Sequence, residues 1–360
     1  MTRRDLVRVL VIDDSAFSRQ AITRMLETSP LIEVVGVARD GEDALRKAFE
    51  LRPDLITLDL EMPGMNGFTF LRLMMARQPT PVIVISSRSG DQDVFKALDL
   101  GAVDFIAKPT PHATPELVSI ERELILKALA TRDLRMDNVS ERLLAEPTVA
   151  SCVGDAVAPP GVVVIGSSTG GPAALVQLFG AFDAPPPCSF LVAQHMPAGF
   201  TAAFAERLDR LTALSAREAR GGEGVTPGSI LIAPGGCHLE LVSLGGQAVT
   251  RVVPATSADK YVPSVDRLFT SAAKHQGADL LALVLTGMGD DGRLGVGHVK
   301  QAGGRVIAEA ESTAVIFGMP QQAIRTGAVD VVLPLPEMAA AIQRGAASGR
   351  YESSTMRESV

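Results

Sequence analysis

The stretch Val162–Gly171, VVVIGSSTGG, joins a run of apolar, mostly β-branched residues to a turn of glycine, serine and threonine. Such a run is typical of a buried parallel strand, and small residues directly after it favour a tight turn into a helix. Two chemical uses fit this turn. It can expose a serine hydroxyl as a nucleophile, or its backbone N–H groups can hold a phosphate. The stretch therefore predicts an α/β fold and leaves both uses open.

The same alternation of apolar runs and helical spacing extends in both directions from this stretch. Towards the amino end, the apolar runs are VRVLVID, IEVVGVA, DLITLDL, PVIVISS and DFIAK, with helical spacing between them. They predict a flavodoxin-like domain with a five-stranded parallel sheet covered by helices on both faces. Towards the carboxyl end, further runs predict a second doubly wound α/β domain with a small antiparallel excursion around Ser229–Pro254.

The 360 residues are enough for two domains of ordinary size. A charged, helix-favouring segment follows the first set of strands, and after it Pro, Ala, Gly and Ser accumulate as they do in linkers. We predict a first domain over residues 1–125, a helix and linker over 126–160, a second domain over 161–346 and a flexible tail over 347–360.

Composition and charge exclude several classes of function. A net charge of −7 and an isoelectric point near 5.4 argue against nucleic-acid binding. The three cysteines lie far apart, so neither a zinc site nor a disulfide framework is indicated. The first apolar run is short and ends in two aspartates instead of a cleavage site, and no longer run suits insertion into a membrane. We therefore expect a cytoplasmic protein.

Chemically distinctive residues stand at the carboxyl ends of the first five strands. Asp13 and Asp14 end the first strand, Asp59 the third, Ser86 the fourth and Lys108 the fifth. Parallel strands bring these ends to one edge, where three carboxylates repel each other unless a hard cation such as Mg²⁺ neutralises them. A lysine and a hydroxyl beside such a cation suit the oxygens of a phosphoryl group.

With LDLEMPGMNG and the KP pair after the fifth strand, these residues resemble the receiver domain of two-component response regulators. The resemblance implies that Asp59 accepts a phosphoryl group from a sensor histidine kinase. It implies that Asp13, Asp14 and Asp59 hold Mg²⁺, and that Ser86 and Lys108 contact the phosphoryl group. The first domain is thus expected to be a phosphorylated switch.

In the second domain, GSSTG fits the G-x-S-x-G pattern, in which small residues expose the hydroxyl of the central serine. Ser168 is that central residue, and Ser167 competes with it for the exposed position. A loop of serine and glycine is also a common anion site. The motif alone does not decide between these uses.

A nucleophilic serine needs a base and an orienting carboxylate. His195 ends the apolar run SFLVAQ and so reaches the same edge as the serine turn, while His238 is an outside candidate. The buried run LLALVLTG delivers Asp290 and Asp291 to that edge through a glycine-rich turn. Three strand ends thus offer a hydroxyl, an imidazole and a carboxylate.

The motifs IGSSTGGP, QHMPAGFTAAFAERL, LTGMGDDG and VFGMPQQAI, following a receiver, resemble the CheB family of chemotaxis protein-glutamate methylesterases. The resemblance implies hydrolysis of glutamate γ-methyl esters on methyl-accepting chemoreceptors and deamidation of receptor glutamines, with no cofactor for the esterase step. It implies Ser168 as nucleophile, His195 as general base and Asp291 as the carboxylate behind it. By the same resemblance Thr169 lies beside the nucleophile, and backbone N–H groups near Met288 are expected to form the oxyanion hole.

Three positions depart from the family pattern. Ser167 stands where alanine is common, Asp290 where asparagine is common, and Tyr261 and Val262 where a His-Arg pair is frequent. We interpret Ser167 as a packing residue and expect Asp290 to raise the pKa of one of the two adjacent aspartates. The third departure is expected to alter how a receptor helix docks.

A receiver joined to an esterase through a linker suggests a regulatory scheme. In this scheme the receiver covers the edge that carries Ser168 and phosphorylation of Asp59 weakens the docking. The resemblance to receivers implies that Phe105 is the aromatic whose position reports phosphorylation. The alternative function is a response regulator whose second domain only binds a ligand or a protein, with GSSTGG holding an anion and no turnover.

Overall fold

The computed structural model describes residues 6–86, 91–108, 114–144 and 161–344. The predicted linker at residues 145–160 and the predicted tail at 347–360 lie outside these ranges. The described residues contain two parallel sheets and one antiparallel pair of strands. This architecture agrees with the α/β class that the apolar runs predict.

The first sheet has five parallel strands with helices between them. The strands are β1 (Val7–Ile12), β2 (Ile32–Ala38), β3 (Leu55–Asp59), β4 (Val82–Ser86) and β5 (Asp104–Ala107). The helices are α1 (Ala16–Glu27), α2 (Gly41–Leu51), α3 (Gly67–Arg77), α4 (Asp91–Asp99) and α5 (Thr114–Ala130). The strand order β2-β1-β3-β4-β5 is that of a flavodoxin-like sheet. Ser15, Asp40 and Asn66 start the first three helices by accepting a backbone N–H at the N-cap.

The second sheet has seven parallel strands. They are β6 (Val162–Ser167), β7 (Ser189–Gln194), β8 (Ser215–Glu218), β9 (Ser229–Ile232), β12 (Leu280–Val284), β13 (Arg305–Glu309) and β14 (Val331–Leu333). The antiparallel pair is β10 (Cys237–Leu244) and β11 (Gln247–Pro254). The main order is β14-β13-β12-β6-β7-β9-β8. The strands that follow β6 in the chain are added first on one side of it and later, from β12, on the other side, so the domain is doubly wound, as predicted.

The helices of the second half are distributed along the chain between these strands. They are α6 (Met136–Leu144), α7 (Gly171–Gly180), α8 (Thr201–Leu211), α9 (Val265–Gln276), α10 (Arg293–Gln301), α11 (Gly318–Arg325) and α12 (Leu335–Gln343). None of the helices in the described ranges combines the length and the apolar character needed to cross a bilayer.

Two details of the second sheet differ from the prediction. The antiparallel excursion begins only at Cys237, because β9 pairs in parallel with β7 and β8 and belongs to the main sheet. The edge strand β8, with the sequence SARE, was not predicted. Its polar residues alternate with a single buried alanine, so it lacks the apolar run that marks the other parallel strands.

Residues between the sheets change partners within a few positions. Arg132 donates a side-chain hydrogen bond to the backbone of Leu31 in the first domain. Leu134, two residues later, forms a β-bridge with Ile316 of the second domain. In α6, Asn138 donates to the backbone carbonyl of Ala314 at 2.7 Å. Helix α6 is thus bonded to the second domain.

The two domains share a layer of buried aromatic side chains. The ring centroids of Phe105 and Phe200 are 4.7 Å apart, and those of Phe95 and Phe204 are 5.6 Å apart in a stacked arrangement. All four side chains are buried, and they belong to one continuous apolar cluster. Burying a phenylalanine stabilises by about 1.5–3 kcal/mol, so these rings contribute to holding the domains together.

Candidate active site and phosphorylation site

Each sheet has one point where the direction of strand addition reverses, and ligand sites in open parallel sheets form there, beyond the carboxyl ends. In the first sheet this point lies between β1 and β3, which end next to Asp13 and Asp59. In the second it lies between β6 and β12, whose ends lead to Ser168 and Asp291. The predicted site residues therefore stand at the two edges where this fold places ligands.

Ser168 and His195 follow directly after neighbouring strands. The last paired residues of β6 and β7 are Ser167 and Gln194, so Ser168 and His195 are the next residues along the same ladder. Ser168 is held from a third strand as well, because its N–H donates to the carbonyl of Thr286 at 3.0 Å. A Cβ on Gly287 would lie 2.8 Å from Ser168 Cβ, so a glycine is required for this approach.

The structure brings the predicted base and carboxylate together. His195 Nε2 and Asp291 Oδ2 are 2.9 Å apart. With Asp291 ionised, Nε2 carries the proton and Nδ1 is the nitrogen left to accept another. In the described part of the chain Ser168 Oγ makes no hydrogen bond to His195, and such bonds are often long until substrate is bound.

Asp291 is buried at the amino end of α9. Its oxygens accept hydrogen bonds from the backbone N–H groups of Val265 at 2.7 Å and Asp266 at 2.9 Å, in addition to His195. Burial alone raises the pKa of this carboxyl, but His195 and these amides outweigh burial, so the pKa of Asp291 lies below its usual value. The helix amino end adds a favourable partial positive charge. Asp291 is therefore a fixed anion.

Asp290 has a different set of partners. Its Oδ1 accepts from Lys260 Nζ at 2.7 Å and from Tyr261 Oη at 2.8 Å. These bonds lower the pKa of Asp290 from its ordinary value. The expectation that one of the two neighbouring aspartates has a raised pKa was therefore wrong, because each carboxylate has its own donors and the pKa of both is lowered.

Tyr261 lies flat against the imidazole of His195. The two ring centroids are 5.1 Å apart and the ring planes differ by 4°. The tyrosine is thus a wall of the site on one face of the imidazole, fixed at its far end by Asp290. This departure from the family pattern contacts the base itself, which the sequence alone did not indicate.

Ser167 faces away from the expected nucleophile. It is fully buried, and its Oγ donates to Gln194 Oε1 at 2.6 Å. The interpretation as a packing residue was therefore incomplete, because the hydroxyl serves as a hydrogen-bond donor. The same observation excludes Ser167 from the exposed position for which it competed with Ser168.

Thr169 and Met288 were the other expected contributors at this edge. The hydroxyl of Thr169 donates to Asp104 Oδ2, which belongs to the first domain. Among the described residues none accepts a hydrogen bond from the backbone N–H of Met288. Thr169 thus connects the two domains at the residue next to Ser168.

His238, the outside candidate for a base, lies elsewhere. It is fully buried at the start of β10, and its Nδ1 accepts from the N–H of Ser264 at 3.0 Å. Its Nε2 lies 3.4 Å from Asp259, whose pKa is lowered to about 2, chiefly by hydrogen bonds from Thr256. These contacts make His238 a structural residue of the N-cap region of α9.

The acidic residues of the first sheet form a compact group. One carboxylate oxygen from each of Asp13, Asp14 and Asp59 lies within 4.8 Å of the others. Asp13 and Asp59 are buried, and burial raises the pKa of both above the ordinary value. Asp13 Oδ2 is buried without any hydrogen-bond partner. A hard cation ligated by oxygen fits such a group.

The remaining predicted residues of the first domain surround this group. Lys108 Nζ donates to Asp59 Oδ2 at 2.6 Å and lies 3.3 Å from Asp13 Oδ2. Ser86 is buried at the end of β4, the strand next to the one that ends in Asp59. Phe105 points to the domain interface, where its ring meets Phe200. The edge thus gathers a carboxylate, a cation and a hydroxyl, and β5 connects it to the second domain.

Comparison with known proteins matches both halves of the chain. The family described as response regulator receiver domain matches residues 9–119, and the family described as CheB methylesterase matches residues 163–342. The solved catalytic domain of the Thermotoga maritima CheB methylesterase is 40% identical, with a TM-score of 0.50, and the match covers 51% of this chain and 97% of that one. The fold and site thus define a response regulator with an esterase-type second domain.

Relatives of similar length are also known. A protein-glutamate methylesterase/protein-glutamine glutaminase of Geobacter sulfurreducens is 47% identical over 92% of this chain and 95% of its own length. One of Myxococcus xanthus is 49% identical over 95% of this chain and 98% of its own length. The chain belongs to the CheB methylesterase family.

Proposed function

We propose that this protein hydrolyses glutamate γ-methyl esters on chemoreceptors and deamidates receptor glutamines, under control of its receiver. The hydrogen bond between His195 and Asp291, beside Ser168 at the end of the same ladder, carries the proposal. Hydroxyl, imidazole and buried carboxylate at one edge are the parts of a serine hydrolase. The names of the relatives supply the substrate class.

The reaction starts when His195 Nδ1 takes the proton of Ser168 as the Oγ attacks the ester carbonyl carbon. The tetrahedral intermediate collapses, the C–O bond to the methoxy group breaks, and His195 returns the proton so that methanol leaves. A water then attacks the acyl carbon and gives a proton to His195; the bond from that carbon to Ser168 Oγ breaks, His195 returns the proton to Oγ, and the receptor glutamate is released. For a glutamine substrate the leaving group is ammonia.

Two features lower the barrier of this reaction. Asp291 stabilises the imidazolium that forms at each attack, and its own lowered pKa keeps it ionised. The N–H of Met288 is available to the oxyanion because no described residue accepts its proton, and it lies next to Gly287, which touches Ser168. We assign the oxyanion hole to this segment, with Thr169 as the neighbouring residue.

In the receiver, we propose Asp59 as the residue that accepts a phosphoryl group from a sensor histidine kinase. Asp13, Asp14 and Asp59 would hold Mg²⁺, since their oxygens are close together and Asp13 Oδ2 accepts no hydrogen bond. When bound, the ion supplies charge neutralisation for the carboxylates and the phosphoryl oxygens. Lys108, already bonded to Asp59, and Ser86 at the adjacent strand end would contact the phosphoryl group.

The proposed control acts through the contacts between the domains. The hydroxyl of Thr169 is bonded to Asp104, and the next residue along β5 is Phe105, the proposed switch aromatic. Phosphorylation of Asp59 withdraws Lys108 from its present partner, and both Lys108 and Phe105 lie on or directly after β5. A shift of β5 would break the Asp104 contact and favour an open state in which receptor reaches Ser168.

Methanol release from methylated receptor membranes tests the proposal directly. Ser168→Ala is expected to lower the rate at least ~10⁴-fold while receptor binding is retained. Ser189→Ala, at the start of β7 and bonded to Ser229 away from the site, is the control and is expected to keep most of the activity. Unchanged methanol release in Ser168→Ala would instead favour the alternative, a second domain that only binds.

A further inference from the structure

The side-chain amide of Gln194 lies between the proposed nucleophile and the proposed base. Its Nε2 donates to the backbone carbonyl of Ser168 at 2.9 Å and to that of His195 at 3.0 Å. Its Oε1 accepts from Ser167 Oγ at 2.6 Å. The side chain is buried, and both N–H bonds and the oxygen of the amide are occupied.

The position of this amide follows from where the strand ladder ends. The last backbone bond between the two strands runs from His195 N–H to Ser167 O at 3.0 Å. Beyond that bond the chains turn apart, and the Gln194 amide replaces the missing backbone hydrogen bonds. A Cβ on Gly171 would lie 2.1 Å from Gln194 Oε1, so the glycine after the serine turn leaves the room that the amide needs.

We propose that Gln194 is a positioning residue that fixes the distance between Ser168 and His195, and that Ser167 fixes the orientation of the amide. The inference rests on the proposed function of those two residues. Both carbonyls can only accept hydrogen bonds, so a reversed amide would place three oxygens against each other. The hydroxyl of Ser167 donates to the amide oxygen and excludes that reversal.

Gln194→Met tests the role with a side chain of similar length that donates no hydrogen bond. We expect kcat on methylated receptor to fall about 10–100-fold with KM within about twofold, because a misplacement near 1 Å has that effect on a reacting pair. Gln194→Glu adds a pH signature. Its protonated carboxyl regains one O–H donor, so its activity relative to the unmodified protein should rise as the pH is lowered. Ser167→Ala should lower kcat about threefold.

Ser189→Ala is the control, since Ser189 begins the same strand and makes a buried hydrogen bond of 3.0 Å to Ser229 at the opposite edge. It should lower the melting temperature without changing kcat. If Gln194→Met behaves like Ser189→Ala, or if the relative activity of Gln194→Glu is independent of pH, the positioning role is wrong. Should Gln194→Met fail to fold, Gln194→Glu and Ser167→Ala decide the question.

A fluorophosphonate probe separates this inference from the proposed function. Labelling of Ser168 in the unmodified protein, located by peptide mapping, supports the serine nucleophile independently of Gln194. The labelling rate should then fall in Gln194→Met by a factor similar to that in kcat. No labelling at Ser168 would contradict the proposed function, whereas equal rates in both proteins would contradict the positioning role alone.

Discussion

The pKa values of buried carboxylates are shifted in opposite directions at the two strand edges of this molecule. At the receiver edge, burial raises the pKa of Asp13 and Asp59, and one oxygen of Asp13 has no hydrogen-bond partner. At the esterase edge Asp291 is likewise buried, yet an imidazole and backbone amides lower its pKa. At the first edge Lys108 leaves part of the cost of burying the two carboxylates uncompensated, whereas at the second an imidazole and backbone amides outweigh that cost.

The difference shows how one sheet architecture supports a switch and a catalyst. A switch gains from a charge that the protein leaves uncompensated, because a ligand can then change the balance of conformations. A catalyst gains from groups whose charge and orientation are fixed before substrate arrives. In this chain the distinction depends on what faces the carboxylate, since both edges lie at the carboxyl ends of parallel strands.

The largest expected effect is at the fixed anion. Asp291→Asn replaces an oxygen acceptor for His195 by an amide and favours the wrong tautomer, so kcat should fall roughly 10⁴-fold. Asp290→Asn is the matched control, because Asp290 is bonded to Lys260 and Tyr261, and it should change kcat less than about threefold. Methanol release measures both. A larger loss in Asp290→Asn would reverse the assignment of the two carboxylates.

The second expected effect concerns the contact that joins the edges. Asp104→Ala removes the acceptor of the Thr169 hydroxyl, and a bond to a charged group contributes about 1.5–3 kcal/mol. Methanol release without a phosphodonor should rise about tenfold as the open state gains population. Asp99→Ala breaks the exposed ion pair with Arg207 at the same interface and should raise activity about twofold or less. A fall in basal activity for Asp104→Ala would contradict obstruction by the receiver.

The third prediction uses the opposite pKa shifts of the two edges. Ionised Asp13 and Asp59 destabilise the receiver, so their contribution worsens as pH rises from 3.8 through their raised folded pKa values. Mg²⁺ at ten times its Kd should raise the free energy of unfolding by about 1.4 kcal/mol at pH 7, and this gain should vanish where the carboxylates are protonated. Asp291 behaves in the reverse sense. Its stabilisation is present above pH 3.8 and is lost as pH falls through its lowered folded pKa.

Thermal unfolding followed with and without Mg²⁺ at a series of pH values from 3.8 upward measures this effect. Asp13→Asn is expected to raise the melting temperature of the metal-free protein and to abolish the Mg²⁺ increment. If the increment survives in Asp13→Asn, the ion is bound elsewhere.

The smallest expected effect is at the aromatic wall of the esterase edge. Tyr261→Phe keeps the ring against His195 and loses only the bond to Asp290, so kcat should stay within about twofold. Tyr261→Leu removes a stacked pair with a contribution of about 0.5–1.5 kcal/mol, so kcat should fall about 3–10-fold. The kcat values of the two variants distinguish the contribution of the ring from that of the hydroxyl. Equal losses would assign the effect to the hydroxyl instead of the ring.

Much of the fold and the position of each site residue can be read from the sequence. The parallel strands are marked by apolar runs such as VVVI, and a polar residue just after a run must stand at the carboxyl edge. That reasoning places Ser168, His195 and Asp291 together without coordinates. It fails for β8, because a short edge strand with alternating polar residues has no such run.

Contacts between side chains that lie far apart in the chain could not be predicted from the sequence. Sequence adjacency suggested that Asp290 disturbs Asp291, whereas Lys260 approaches Asp290 from thirty positions away. The hydrogen bonds of Gln194 depend on the direction of one amide, which no periodicity encodes. The pairing of Thr169 with Asp104 depends on how two separately folded domains dock, so it required the structure.

Helix α6 has a practical consequence for anyone following activation by fluorescence. Its Arg142 donates to the carbonyl of Gly170 at 3.2 Å and pairs with buried Glu309 at 2.5 Å, so the helix would travel with the esterase domain when the receiver moves away. The pivot then falls between Arg132 and Leu134, ahead of the segment that composition marks as a linker. The fluorescence signal of a dye on α6 paired with one on the esterase domain would therefore not change, and a dye on α1 would be needed to report the opening.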